Sequence, residues 1–130
     1  MVPHLEKVKE YLFDLEYEIS SEDPDEGLVV ITDEDNGLSN LILDCEDDIL
    51  VIEQFIFTLR EDKAEILRRL LQINRHLVHG ALTIDDDGRI IFRNTLELEN
   101  LDRNELEGTL NAISLMMAEY AEEFIGFAKA

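Results

Sequence analysis

The sequence predicts an α+β fold, an antiparallel sheet with three helices packed on it in the order α-β-β-β-β-α-β-β-α, the first strand being the least marked. Three observations lead there. Apolar residues recur at three-and-four spacing in three separate stretches, and between those stretches they alternate with polar ones at strand period. Acidic turns containing glycine join the alternating runs closely enough for neighbouring strands to pair antiparallel.

The first stretch sets Leu5, Val8, Leu12 and Leu15 on one helical stripe, with Glu6, Glu10 and Asp14 opposite and Pro3 suited to the first turn. Tyr17 to Ser20 is read as the start of a strand, followed by an exposed loop in Ser-Ser-Glu-Asp-Pro-Asp-Glu-Gly, residues 20–27. The β-branched run Leu28 to Thr32 and the strand Leu38 to Cys45 flank Asp33-Glu34-Asp35-Asn36-Gly37, where Asn-Gly suits the positive φ of a hairpin turn. Ile49 to Leu59 follows as a central strand that is apolar on both faces. Ile49, Val51, Phe55, Phe57 and Leu59 are expected on one face, and Leu50, Ile52 and Ile56 on the other. A sheet covered by helices on one side only should alternate apolar with polar residues, so a strand apolar on both faces implies a second covering element, such as another subunit.

Asp62 and Glu65 have the spacing of a capping box, which starts the second helix there. Ile66, Leu67, Leu70, Leu71, Asn74, Leu77 and Val78 line one face of that helix, which is expected to close at Gly80. Asn74 on this apolar face is expected to hold the helix end to the next hairpin. That hairpin joins Ala81–Ile84 to Arg89–Leu98 through Asp85-Asp86-Asp87-Gly88, with Gly88 left-handed. Asp102 and Glu105 repeat the capping-box spacing for the last helix. Its stripe of Leu106, Leu110, Ile113, Met117, Tyr120, Phe124 and Phe127 is widened by Ala112, Leu115, Met116 and Ile125. It carries more apolar surface than one contact needs.

The 130 residues, 45% of them hydrophobic, suit a single domain over residues 1–130 with its own core. A net charge of -20, from 31 acids against 11 basic residues, would repel a nucleic-acid backbone. Residues 1–62 alone hold Lys7, Lys9 and Arg60 against 19 acids, a balance of -16. Glu6 and Glu10 interrupt what would be the apolar part of a signal peptide, and no run reaches membrane-spanning length. With a lone Cys45, these features lead to the expectation of a cytoplasmic protein that binds neither nucleic acid nor membrane.

Catalytic chemistry finds little support. With Gly37 or Gly88 at the sixth position of a calcium loop, the twelfth becomes Leu43 or Asn94, so the bidentate acid is missing. His76 and His79 are three apart with no third ligand in view, and histidines at a helix C-terminus suit the carbonyl dipole. Cys45 lies among Asp44, Glu46 and Asp47, which disfavour the thiolate. No nucleophile elbow, phosphate-binding glycine loop, HExxH or CxxC occurs. The sequence is read as non-enzymatic, with no cofactor and no metal.

Leu70-Leu71 followed by Asn74, the short strand Ala81–Ile84, Asp87-Gly88, and Ile90–Leu98 before a capped final helix together resemble the YbjN-type family of candidate bacterial sensory-transduction regulators. They also resemble the wider group of type III secretion chaperones. The resemblance implies a small acidic α+β fold and, for the chaperones, a cytoplasmic homodimer that holds the extended N-terminal segment of an effector without nucleotide chemistry. The function expected is therefore a protein-binding module, a chaperone-like homodimer holding an extended or partly folded segment on apolar patches. A YbjN-type module that binds a folded signalling partner is the alternative. Leu50, Ile52 and Ile56, with Met116 and Met117, are expected to form the partner or dimer surface, methionine suiting an adaptable face. Asn74, Gly80 and Gly88 are assigned structural roles.

Overall fold

A computed structural model describes residues 4–130. Pro3, expected in the first helical turn, lies outside the described residues. The chain runs α1 (Leu5–Asp14), β1 (Ile19–Asp23), β2 (Leu28–Asp33), β3 (Leu38–Glu46), β4 (Ile49–Thr58), α2 (Ala64–Asn74), β5 (Ala81–Ile84), β6 (Arg89–Glu97) and α3 (Arg103–Lys129). All six strands form one antiparallel sheet in the order β1-β2-β3-β4-β6-β5. Strands β1 to β4 meander; α2 then carries the chain to the far edge, and β6 returns between β5 and β4. The fold class is the one the sequence predicts, with the first strand present.

One core unites the three helices with a single face of the sheet. Leu5, Val8 and Leu12 of α1, Ile66, Leu70 and Ile73 of α2, and Leu106, Leu110, Ile113, Met116, Tyr120 and Phe124 of α3 bury against Val29, Ile31, Leu41, Leu43, Leu50, Ile52, Ile90 and Phe92. On each strand these are alternate residues, so all the helices cover one side and leave the other open. No helix among the described residues is long and apolar enough to cross a membrane.

The two capping-box spacings diverge. Asp102 accepts from the Glu105 amide at 2.8 Å, and the Glu105 carboxylate accepts from the Asp102 amide at 3.3 Å, which closes the box on α3. At α2 the N-cap is Lys63, with no side-chain cap, so Asp62 sits one residue too early to reach the free amides. Helix α2 also stops at Asn74, short of the expected Gly80. The amides of Arg75, His76 and Leu77 reach back three residues, tightening the end into a turn, while the Asn74 side chain leaves the helix for β5. The loop expected over residues 20–27 shrinks to Pro24–Gly27, because β1 runs on through Asp23 as an acidic edge strand.

Two glycines are required where they stand. Gly80 has φ 74°, and a Cβ there would run into the Phe92 ring and lie 2.9 Å from the Arg93 carbonyl. Gly88, at φ 81°, accepts the Leu59 amide on its carbonyl at 2.9 Å, and a Cβ would crowd the Leu59 oxygen.

Candidate protein-binding surface

The central strand decides which surface is available. A β-bulge places Ile56 as an extra residue between the pairs Phe55–Ile91 and Phe57–Ile90. Periodicity alone would put Ile49, Val51, Phe55, Phe57 and Leu59 on one face. The bulge reverses the phase, so Phe57 turns inward and stacks on Phe124 with ring centroids 6.0 Å apart, and Leu59 is also buried. Ile49, Val51 and Phe55 stay on the open side.

The expected partner surface therefore needs correction. Leu50 and Ile52 are fully buried and Met116 is 2% exposed, all within the core beneath the helices. Ile56 and Met117 are half-buried against that core, with Met117 seated on Gly37. The apolar surplus of β4 lies on its other face. Strand register assembles that face: Leu28, Asp44, Val51 and Thr95 form one row across four strands, Val30, Ile42, Glu53, Arg93 and Ala81 the next, and Phe55, Ile91 and Thr83 a third. Ile42, Ile49 and Phe55 are 37%, 43% and 54% exposed. Ile42 pairs with Glu53 and so lies diagonal to Val51 and Phe55, and Ile49 precedes Val51 on the same face, so these side chains make an apolar band crossed at Glu53 and of the kind that marks interaction sites.

Charge frames the band. Glu53 and Arg93 pair across it at 3.1 Å. Asp44 lies between Leu28 and Val51, and its carboxyl is held above the ordinary range by partial burial and by Glu46 beside it. At the end of the face, Asp48, Glu97 and Glu99 line an open hollow of about 560 Å³ with Ile49, Thr95 and Leu96.

Buried polar side chains brace the scaffold behind this face. Gln54, 2% exposed, donates to the Gly37 carbonyl and accepts from the Ser39 amide, both at 3.0 Å, so it extends the β3–β4 ladder past its last paired residues. Half-buried Asn74 plays a similar part at the β5 edge of the sheet. The Leu82 amide donates to its Oδ1 at 2.7 Å, and its Nδ2 donates to the Leu82 carbonyl at 3.2 Å. Both outward-facing backbone groups of the β5 edge at Leu82 are thereby occupied, which blunts strand addition there. Gln54 was missed in sequence, although a glutamine inside an otherwise apolar strand was its signal. Asn94 donates to the buried Thr109 hydroxyl at 2.9 Å, tying β6 to α3.

The other chemical candidates fall into structural settings. His76 and His79 follow the end of α2 in the turn, and His79 packs toward Gly108 of α3. Asp85 spends its carboxylate on its own turn, accepting from the Asp87 and Arg89 amides at 2.9 Å and from Arg89 Nε at 2.7 Å. Those bonds lower its pKa, the Arg89 amide foremost. Burial, with a smaller contribution from Asp44, pushes the Cys45 thiol up to about 11. Among the described residues, no group of three or more His, Cys, Asp or Glu could hold a metal ion.

Three helices on one side of a six-stranded antiparallel sheet make a fold similar to those of solved type III secretion chaperones and of YbjN. The chain matches the CesT_Tir_1 family over residues 1–130 and belongs to it. Among solved structures it is similar to YbjN of E. coli, described as a candidate transcription regulator, at 16% identity and TM-score 0.69 over 95% of this chain and 94% of that one. It is similar to the HopA1–SchA chaperone–effector complex at 14% identity and TM-score 0.63, covering 87% and 88%. It is also similar to the Yersinia pestis type III secretion chaperone SycH, in complex with a fragment of YscM2, at 13% identity and TM-score 0.57, covering 93% and 98%. No curated protein matches the chain.

Proposed function

We propose that this protein is a non-enzymatic, chaperone-like binding module that works as a homodimer and holds an extended or partly folded protein segment on the open face of its sheet. The observation that carries this reading is the uncovered band of Ile42, Ile49 and Phe55, bordered by Val30, Val51 and Ile91. Family membership and the likeness to chaperones solved with protein partners support it. The twofold contact is assigned to a separate set of exposed apolar side chains, Leu71 on α2, Val78 in the following turn and Ile84 on β5. Asn74 already occupies the β5 edge, so that contact is made by side chains rather than by strand pairing.

Affinity capture from the source cells with the wild-type chain and with Phe55→Asp tests the binding face. A protein recovered with the wild type and lost with the variant is expected; equal recovery overturns the assignment. Sedimentation at micromolar concentration is expected to give twice the 15.0 kDa chain mass, and a monomer refutes the dimer. The likeness to YbjN over 95% of the chain favours a second reading, a regulatory module that binds a folded signalling partner. A captured partner that resists limited proteolysis before binding supports that reading; one that becomes resistant only in the complex supports the first.

A further inference from the structure

The open face is electrostatically lopsided, and this determines what can lie on it. Its two arginines are both engaged: Arg93 with Glu53 at 3.1 Å, and Arg89, at the end near the bulge, with Asp85 at 2.7 Å. At the opposite end, register places Glu46, Ile49 and Glu97 side by side, with Asp44 one row inward. None of these three acids has a cation within ion-pair distance among the described residues. Asp48 and Glu99 add two more carboxylates around the hollow beside them. The apolar end, at Phe55 and Ile91, lies six residues along β4 from Ile49, about 20 Å at strand rise.

Resting on the binding role proposed above, we infer that the occupant of this face is a cationic amphipathic segment, its apolar side chains on Ile42, Phe55 and Ile91 and its lysines or arginines over the acids around Ile49. A neutral or acidic apolar segment would bury the band but leave Asp44, Glu46 and Glu97 partly desolvated without partners, which is unfavourable. A basic end turns the same carboxylates into attraction and fixes the direction in which the segment lies. The arrangement also accelerates encounter, with an on-rate that falls as salt rises.

The test uses the full chain and three fluorescein-labelled twelve-residue peptides with one leucine pattern, in which the remaining positions of one half are lysine, serine or glutamate. Anisotropy titrations are run at low and at physiological salt. The lysine peptide is expected to bind at least about tenfold more tightly than the serine peptide and the glutamate peptide weakest, since each exposed ion pair adds a fraction of a decade to the affinity. Glu46→Gln with Glu97→Gln should remove most of that preference. Glu119→Gln with Glu122→Gln, on the exposed side of α3, should leave it within about twofold. Equal weakening by both pairs of substitutions would reduce the effect to the attraction of any cation to a chain of net charge -20 and overturn the inference. Tight binding of the serine peptide, abolished by Phe55→Asp, would also overturn it while leaving the binding face intact. No binding of any peptide to a chain that still captures a cellular partner through Phe55 would refute the cationic occupant alone.

Discussion

Replacing Asn74 with leucine should be costly out of proportion to its partial exposure. Its side chain hydrogen-bonds both the Leu82 amide and the Leu82 carbonyl at the sheet edge, at 2.7 and 3.2 Å. Each such bond contributes about 0.5–1.5 kcal/mol net, so losing the pair should cost about 2 kcal/mol. With an unfolding entropy of roughly 2.1 cal/mol/K per residue, that loss lowers Tm by about 7 °C for a chain of this size. Thermal and urea unfolding followed by circular dichroism gives the stability, and hydrogen exchange of the Leu82 amide reports the bond itself. A Tm drop below about 2 °C with Leu82 protection unchanged would refute the reasoning, because the amide would then be bridging to solvent and not bracing β5. Asn74→Asp is the informative companion: it keeps an acceptor for the Leu82 amide but sets an acid against the Leu82 carbonyl, so it should recover only part of the loss at pH 7.

Further outcomes follow from the same geometry. Gly80→Ala should cost about 2 kcal/mol or more, combining a left-handed backbone with a clash on Phe92, and urea midpoints check it; a midpoint near wild type would contradict the assigned constraint. Ile52→Ala, in the core, should cost about 2–4 kcal/mol, whereas Phe55→Ala on the open face should cost under about 1 kcal/mol, and similar losses for the two would undo the assignment of faces. The Arg69–Glu123 pair joining α2 to α3 is two-pronged, at 2.6 and 3.1 Å, but partly exposed, so Glu123→Gln should cost less than about 1 kcal/mol. Hydrogen bonding to Arg69 lowers the Glu123 pKa from 4.5, so its contribution is present above pH 4.5 and is lost as the pH falls through the lower folded value. A Glu123→Gln penalty that persisted in full at pH 2 would contradict that sign. Cys45, buried with its thiol pushed up to about 11, should resist iodoacetamide at pH 8 until the chain is unfolded, and rapid stoichiometric labelling of the native protein would refute its burial.

Periodicity made the helices and paired strands legible because both depend on local spacing and on which side of an element is wetted. It failed where one residue shifts phase or where a side chain serves a distant backbone group. The surplus apolar character of Ile49–Leu59 is legible in its residues. The bulge at Ile56 is not, and it exchanges which residues of β4 face the helices beyond Gln54. The assignment of Leu50 and Ile52 to the free surface had a separate cause: spacing separates two faces of a strand without saying which one the helices take. Identical Asp-x-x-Glu spacings at residues 62 and 102 gave different outcomes, because a cap depends on where the helix begins, and the turn before α2 delays that by one residue. Asn74 stood out as polar on an apolar stripe, but its pairing with Leu82 required the β5 edge to be in place. The Gln54 bonds to Gly37 and Ser39 span 17 and 15 residues and exist only once β3 and β4 are paired.

The central claim is that the open face of the sheet is where another protein lies, and site-specific photo-crosslinking in the source cells tests it most directly. A photoreactive phenylalanine at position 55, on that face, is compared with one at position 119, on the exposed side of α3. A discrete adduct with a second protein is expected from position 55 and none of that mass from position 119. The same adduct from both positions, or from position 119 alone, would contradict it.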